Sequence, residues 1–205
     1  MSKDKYTEPK ITINKVYTRT GDLGMTSLVG GQSIHKSDLR ICVYGKIDEL
    51  NSYIGACKEY LIVDSNKINP DVKRLNNVLC RIQNELFNVG NMLATLDEDM
   101  SKNMPKVEDS HIKALEKEID YFNSNLVTLK SFVLPGGSKT NIWFHIARTV
   151  CRDCERKVVA LSEREKIDIN IIKYLNRLSD ALFVFSRWSN KNLLVEEVLW
   201  NPNQE

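Results

Sequence analysis

Asn69-Pro-Asp-Val-Lys-Arg-Leu-Asn-Asn-Val-Leu-Cys-Arg-Ile-Gln-Asn-Glu-Leu-Phe-Asn-Val-Gly-Asn-Met-Leu93 decides the fold class. Within it Leu75, Val78, Leu79, Ile82, Leu86, Val89 and Leu93 recur at steps of three and four. That spacing lays apolar side chains along one face of a helix with about 3.6 residues per turn. Proline as the second residue suits a first helical turn, where its missing N–H would have no partner.

The same periodicity extends in both directions. Ile47, Leu50, Ile54 and Leu61 mark a helix before this one, and Ile112, Leu115, Ile119 and Phe122 mark a shorter one after it. Leu134-Pro-Gly-Gly-Ser138 then breaks the pattern, and Phe144, Ala147, Cys151, Cys154, Val158 and Leu161 resume it. Asp168 is placed to cap a fifth helix carried by Ile172, Leu175, Leu178, Leu182, Phe185 and Trp188. From Ile41 onward no strong alternating stretch would support a central sheet. The expected fold is all-α: a single domain over residues 1–205, with an irregular segment at 1–40 and a five-helix bundle at 41–195. Residues 64–69 and the acidic, methionine-containing 97–108 read as surface loops.

A chain of 205 residues, 42% of them hydrophobic, has enough apolar material for one sizeable core. The net charge of +2 gives no argument for nucleic acid or a membrane surface, so any anion must be held by locally placed bases. No apolar run approaches the ~20 residues that span a bilayer. Five cysteines without regular spacing fit reduced thiols. Residues 1–10 mix Lys, Asp and Glu and lack an apolar stretch, which argues against a secretory signal. A cytoplasmic location is expected; a mitochondrial matrix form that had lost its presequence would look the same.

Two regions carry candidate chemistry. Tyr17-Thr-Arg-Thr-Gly-Asp-Leu-Gly-Met-Thr-Ser-Leu-Val-Gly-Gly31 is too glycine-rich for a helix. Its glycines permit successive amides to turn toward one anion, its hydroxyls donate to phosphate oxygens, and Arg19 and Lys36 supply charge. A hairpin or N-terminal arm is the other reading of that composition. On the fourth helix Arg148, Arg152 and Glu155 are spaced by four and three, with Arg156 four beyond Arg152; Asn176, Arg177 and Asp180 interrupt the fifth helix similarly. The short connection at 165–167 makes the two helices antiparallel neighbours, so these polar stripes are either a solvated face or a binding surface.

Other combinations are simpler. Cys151 and Cys154 with His145 lie on one helix without a second cysteine pair, which suits core thiols better than zinc. Glu108-Asp-Ser-His111 holds one Glu-x-x-His where di-iron bundles need two, so it reads as a helix start. His35 and His111 read as surface residues.

Three segments together resemble the PduO-type ATP:cob(I)alamin adenosyltransferases. They are Tyr17-Thr-Arg-Thr-Gly-Asp-Leu-Gly24; Tyr44-Gly-Lys-Ile-Asp-Glu-Leu-Asn-Ser-Tyr-Ile-Gly55; and Leu134-Pro-Gly-Gly-Ser138 leading to His145-Ile-Ala-Arg-Thr-Val-Cys-Arg-Asp-Cys-Glu-Arg156 and Tyr174-Leu-Asn-Arg-Leu-Ser-Asp180. The resemblance implies a homotrimer with active sites between subunits, taking ATP, with Mg²⁺, and cobalamin as substrates. It places ATP against Thr18, Arg19, Thr20, Gly21, Thr26, Ser27 and Lys36, which makes 1–40 the ATP-binding segment, and against Arg152, Glu155, Arg156 and Asn176. It pairs Asp48 with Arg148 of the neighbouring subunit and sets Phe132 under the corrin ring, although Phe132 read alone is a core aromatic. No protein residue is assigned to a metal.

The implied reaction displaces triphosphate from C5′ of ATP by the cobalt nucleophile, which calls for cations and hydroxyls but little general-base catalysis. A reductase and a cobalamin-dependent enzyme are the implied protein partners. Leu23 stands where the family commonly has lysine, and Asp153 where it commonly has a second arginine. Asn141-Ile-Trp-Phe144 is bulkier than the alanine-rich start usual for that helix. Two other readings remain: a carrier that binds ATP and corrinoid and delivers cofactor without multiple turnover, and a helical interaction module that binds no ATP.

Overall fold

A computed structural model describes residues 17–65 and 69–203; the expectations for 1–16, and part of the loop expected at 64–69, lie outside the described residues. A short antiparallel hairpin, β1 (Met25–Ser27) with β2 (Ser33–His35), leads into five helices. These are α1 (Leu39–Asp64), α2 (Pro70–Leu93), α3 (Asp109–Asn123), α4 (Lys139–Ser162) and α5 (Ile169–Asn192). The all-α expectation holds, with one refinement: the glycine-rich segment contains a small regular sheet in register Thr26 to Ile34.

The apolar stripes explain the packing. α1 lies against α2 and α4, α4 against α5, and α5 against α3. One continuous core runs through them, and every apolar residue that marked a helix in the sequence is buried or packs against it. Cys151 and Cys154 are part of that core, as expected of thiols on an inward stripe.

Helix starts are set by side chains that take up orphan amides. Asp38 accepts from Arg40 N, Asn69 from Val72 N, Ser138 from Asn141 N and Asp168 from Asn170 N. Before α3 the Glu108 side chain and His111 form a reciprocal capping box, with Glu108 N donating to His111 Nδ1 at 3.0 Å. His111 is therefore half-buried capping machinery and not the free surface residue its sequence suggested. His35 is exposed, with Ser37 Oγ 2.6 Å from its ring nitrogen.

The loop expectations need correction. α1 continues through Asp64, whose carboxylate accepts from Thr140 N at 2.9 Å and Thr140 Oγ1 at 2.7 Å and so fastens the start of α4. Between α2 and α3, Asp97–Asp99 form a single 3-10 turn, Val107 is fully buried and Met104 packs on the core. Isolated apolar residues in an acidic stretch carry no period, so the inward ones could not be told from the outward ones.

Two tethers position the rest. The guanidinium of Arg40, 2% exposed, pairs with Glu165 and donates to the carbonyls of Leu93 and Thr95, pinning the α4–α5 connection to the end of α2. The chain beyond α5 returns to the loop before α4: Val133 bridges Leu199, Trp200 N donates to Phe132 O at 2.7 Å, and Leu134 N donates to Val198 O at 2.8 Å. Among the described residues no helix is long and apolar enough to cross a membrane.

Candidate active site

The hairpin gathers one group of candidates. Lys36 Nζ donates to Gly21 O at 2.8 Å and Lys36 N to Gly24 O at 2.8 Å, closing the loop that begins with Thr18. Thr18 and Thr20 hydroxyls lie 2.8 Å apart, and Arg19 between them has φ 63°, a left-handed conformation that is strained for a side chain of this size. Strain of this kind, about 1–2 kcal/mol, persists where surroundings or function require it. Thr18, Arg19, Thr20 and Ser27 are exposed, Gly21 and Thr26 half-buried. Hydroxyls, a lysine and an arginine thus line one turn of backbone open to solvent. Leu23 is 92% exposed and makes no part of the core.

The α4–α5 groove gathers a second group. Asn176 Nδ2 donates to Glu155 Oε1 at 3.0 Å, so the two polar stripes do meet. Arg152 is exposed on the same stripe and has no ion-pair partner among the described residues. Arg177 turns instead to Glu116 of α3 at 3.0 Å and to Asp180 at 3.1 Å. Arg156 sits 3.2 Å from Asp153. Asp153 itself faces α1, 3.8 Å from Lys46 and 3.2 Å from Lys157. One residue is a 100° step around a helix, and that step turns Asp153 out of the Arg152–Glu155 stripe.

One turn up the groove, Arg148 is half-buried and its Nε has no hydrogen-bond partner among the described residues. Burial, followed by the neighbouring Arg152 charge, works against its protonated form. An arginine stays charged regardless, and no described residue offers this guanidinium an anion. His145, 4% exposed, lies beside it, and neither ring nitrogen has a hydrogen-bond partner among the described residues. Burial, then the Arg148 charge, pushes its imidazole down to about 4, so it is neutral at pH 7. Sequence reading weighed His145 only as a zinc ligand and missed that it shares a face with Arg148; its offset of three residues was the available signal.

Asp48 lies elsewhere. It is exposed on α1, lining a cavity of about 930 Å³ between α1, α2 and the 97–105 stretch, with Tyr44, Ile47, Phe87 and Met104 as apolar walls. No ion pair joins it to Arg148 within the chain, among the described residues. Phe132 is 78% exposed, with the Trp200 ring edge-on at 6.2 Å. It is not the core aromatic that its apolar neighbours suggest. Trp200, far away in sequence, gave no sign of standing beside it.

Two separate groups of candidate residues therefore share one chain. Among the described residues no hydrogen bond or ion pair connects the hairpin residues Thr18–Lys36 with the groove residues Arg148, Arg152, Glu155, Arg156 and Asn176. Among the described residues no group of three or more His, Cys, Asp or Glu converges to hold a metal ion.

The chain is similar to proteins of known activity. It is 41% identical over 198 residues to a corrinoid adenosyltransferase of Mycobacterium leprae, covering 94% of this chain and 98% of that one. It is 43% identical over 176 residues to a corrinoid adenosyltransferase of Bacillus subtilis, covering 86% of each. A solved phenylalanine-to-alanine variant of the PduO-type ATP:corrinoid adenosyltransferase from Lactobacillus reuteri, complexed with cobalamin and ATP, superposes with a TM-score of 0.82 at 34% identity, over 91% of this chain and 99% of that one. An arginine-to-lysine variant of the same enzyme complexed with ATP gives 0.81 at 33% identity, over 91% and 100%. The family model described as cobalamin adenosyltransferase matches residues 16–189, nearly the whole described bundle together with its hairpin, and the chain belongs to that family.

Proposed function

We propose that this protein transfers the 5′-deoxyadenosyl group of ATP to the cobalt of cob(I)alamin, giving adenosylcobalamin and triphosphate. The electron pair on cobalt(I) forms the cobalt–carbon bond at C5′ as the C5′–oxygen bond breaks. The triphosphate leaves with that bond's electrons. No proton moves in the displacement, so the protein's task is to hold charge, orient the nucleotide and present an apolar surface to the corrin.

The observation that carries this reading is the division of anion-suited groups between two surfaces of one chain, each open and incomplete. Thr18, Arg19, Thr20, Gly21, Thr26, Ser27 and Lys36 of one subunit would hold the triphosphate from one side. Arg152 and Arg156, with Glu155 and Asn176 keeping the groove in order, would hold the nucleotide from the other, in a neighbouring subunit. Such an arrangement needs a closed ring, and a homotrimer of the 205-residue domain supplies it. Magnesium is typically held by one or two carboxylates plus substrate phosphates, so Mg²⁺ would arrive largely on the triphosphate and offset its charge. A reductase supplying cobalt(I) and an enzyme consuming adenosylcobalamin complete the expected set of partners, in the cytoplasm.

The test is anaerobic spectroscopy of the protein with cob(I)alamin and ATP. Conversion to the adenosylated spectrum through many equivalents per site is the expected result; conversion that stops at one equivalent would make the protein a carrier, and none would reject the reaction.

Asp48 and Arg148 are proposed to pair across the subunit boundary, because Arg148 Nε is buried without a partner among the described residues and Asp48 is an exposed carboxylate beside apolar walls. Leaving a buried polar group unpaired costs about 1–3 kcal/mol. Asp48→Asn should weaken the trimer by that amount in analytical ultracentrifugation, and Asp48→Arg combined with Arg148→Asp should recover part of the loss. An unchanged trimer in Asp48→Asn rejects the pair.

A further inference from the structure

The turn at Asp97–Asp99 is fastened on two sides. Lys166 Nζ donates to Asp97 Oδ2 at 2.9 Å, tying the turn to the α4–α5 connection. On the other side Gln32 Nε2 donates to Asp99 Oδ2 at 2.6 Å, and Val29 N donates to Ala94 O at 3.0 Å. The chain passes Asp99 at Gly30 so closely that a Cβ there would stand 2.6 Å from Asp99 Cγ, well inside contact. Leu28, 6% exposed, is the one buried apolar side chain of the hairpin loop. A two-stranded hairpin with three residues per strand is marginal by itself, so these contacts decide how long it stays docked.

From this geometry we infer that Asp99 is a positioning residue for ATP: its carboxylate, through Gln32 and over Gly30, holds the hairpin on the end of α2 in the form that receives the triphosphate. The inference rests on the proposed reading that residues 18–36 hold ATP. A carboxylate would repel the triphosphate by direct contact, so Asp99 acts through the backbone it anchors. When only part of the population has the hairpin docked, the apparent affinity for ATP falls by that fraction, while saturating ATP restores the docked form.

Asp99→Ala should therefore raise KM for ATP about tenfold, the lower end of what a hydrogen bond to a charged group is worth. Its kcat should stay within about twofold. Asp99→Asn, which still accepts from Gln32, should lie near the wild type. Gly30→Ala should raise KM similarly by displacing the carboxylate, and the Gly30→Ala, Asp99→Ala double variant should be little worse than either alone, because both break one contact. Calorimetric titration with ATP, without corrinoid, should show the same order of affinities. That measurement separates the anchor from the chemistry: a wild type that binds ATP but makes no adenosylcobalamin rejects the proposed reaction and leaves the anchor testable. Wild-type ATP affinity in Asp99→Ala overturns the inference. So do fully additive effects in the double variant, or a lowered melting temperature with kcat falling in step.

Discussion

Phe132→Ala is expected to lower adenosylation from cob(II)alamin by about a thousandfold, ~4 kcal/mol of barrier, while activity from chemically pre-reduced cob(I)alamin falls far less. Cobalt(II) is hard to reduce while an axial ligand donates electron density to it, and a bulky apolar ring beneath the corrin would exclude both the dimethylbenzimidazole base and water. A ring that is 78% exposed in the chain contributes little to the core, so truncation should leave the melting temperature and ATP affinity nearly unchanged. Parallel assays with and without chemical reduction, alongside thermal unfolding, decide the matter. Equal losses in both assays with a lower melting temperature would make Phe132 a packing residue.

Arg152→Ala is expected to lower kcat/KM for ATP by about 10–10⁴, from one or two charge-assisted bonds worth roughly 1.5–3 kcal/mol each. Arg152 is exposed and without an ion-pair partner among the described residues, so no internal contact is lost and stability should shift by less than about 0.5 kcal/mol. Arg152→Lys keeps the charge but not the planar fork, and should fall between the two. Steady-state kinetics with varied ATP read all three. Wild-type kinetics in Arg152→Ala would remove the α4 stripe from the nucleotide site and leave it a solvated face.

What the sequence made legible was periodic. Leu75 through Leu93 and the matching stripes fixed five helices because burial imposes a 3.6-residue repeat, and Asp168 marked a helix start because capping chemistry is local. Contacts between residues far apart in sequence left no such trace. Val107 is buried alone in a polar stretch, Trp200 stands beside Phe132 from 68 positions further along the chain, and Asp64 caps a helix that begins at Lys139. The functional stripe was visible as spacing but ambiguous in meaning. Arg148 and Arg152 have the same sequence signature, yet only the structure distinguishes a half-buried guanidinium whose Nε has no partner among the described residues from an exposed one. Asp153 shows the reverse, since a charge adjacent in sequence faces another helix.

The bridge between Val133 and Leu199 has a genetic consequence. All five helices and the continuous core are complete by Asn192, whereas the backbone that braces Phe132 is supplied by Val198–Trp200. A nonsense allele falling just before codon 198 would keep all five helices and every residue of that core. An immunoblot would score its product as present, and on the role proposed for Phe132 an assay that begins from the oxidised corrinoid would reveal the defect.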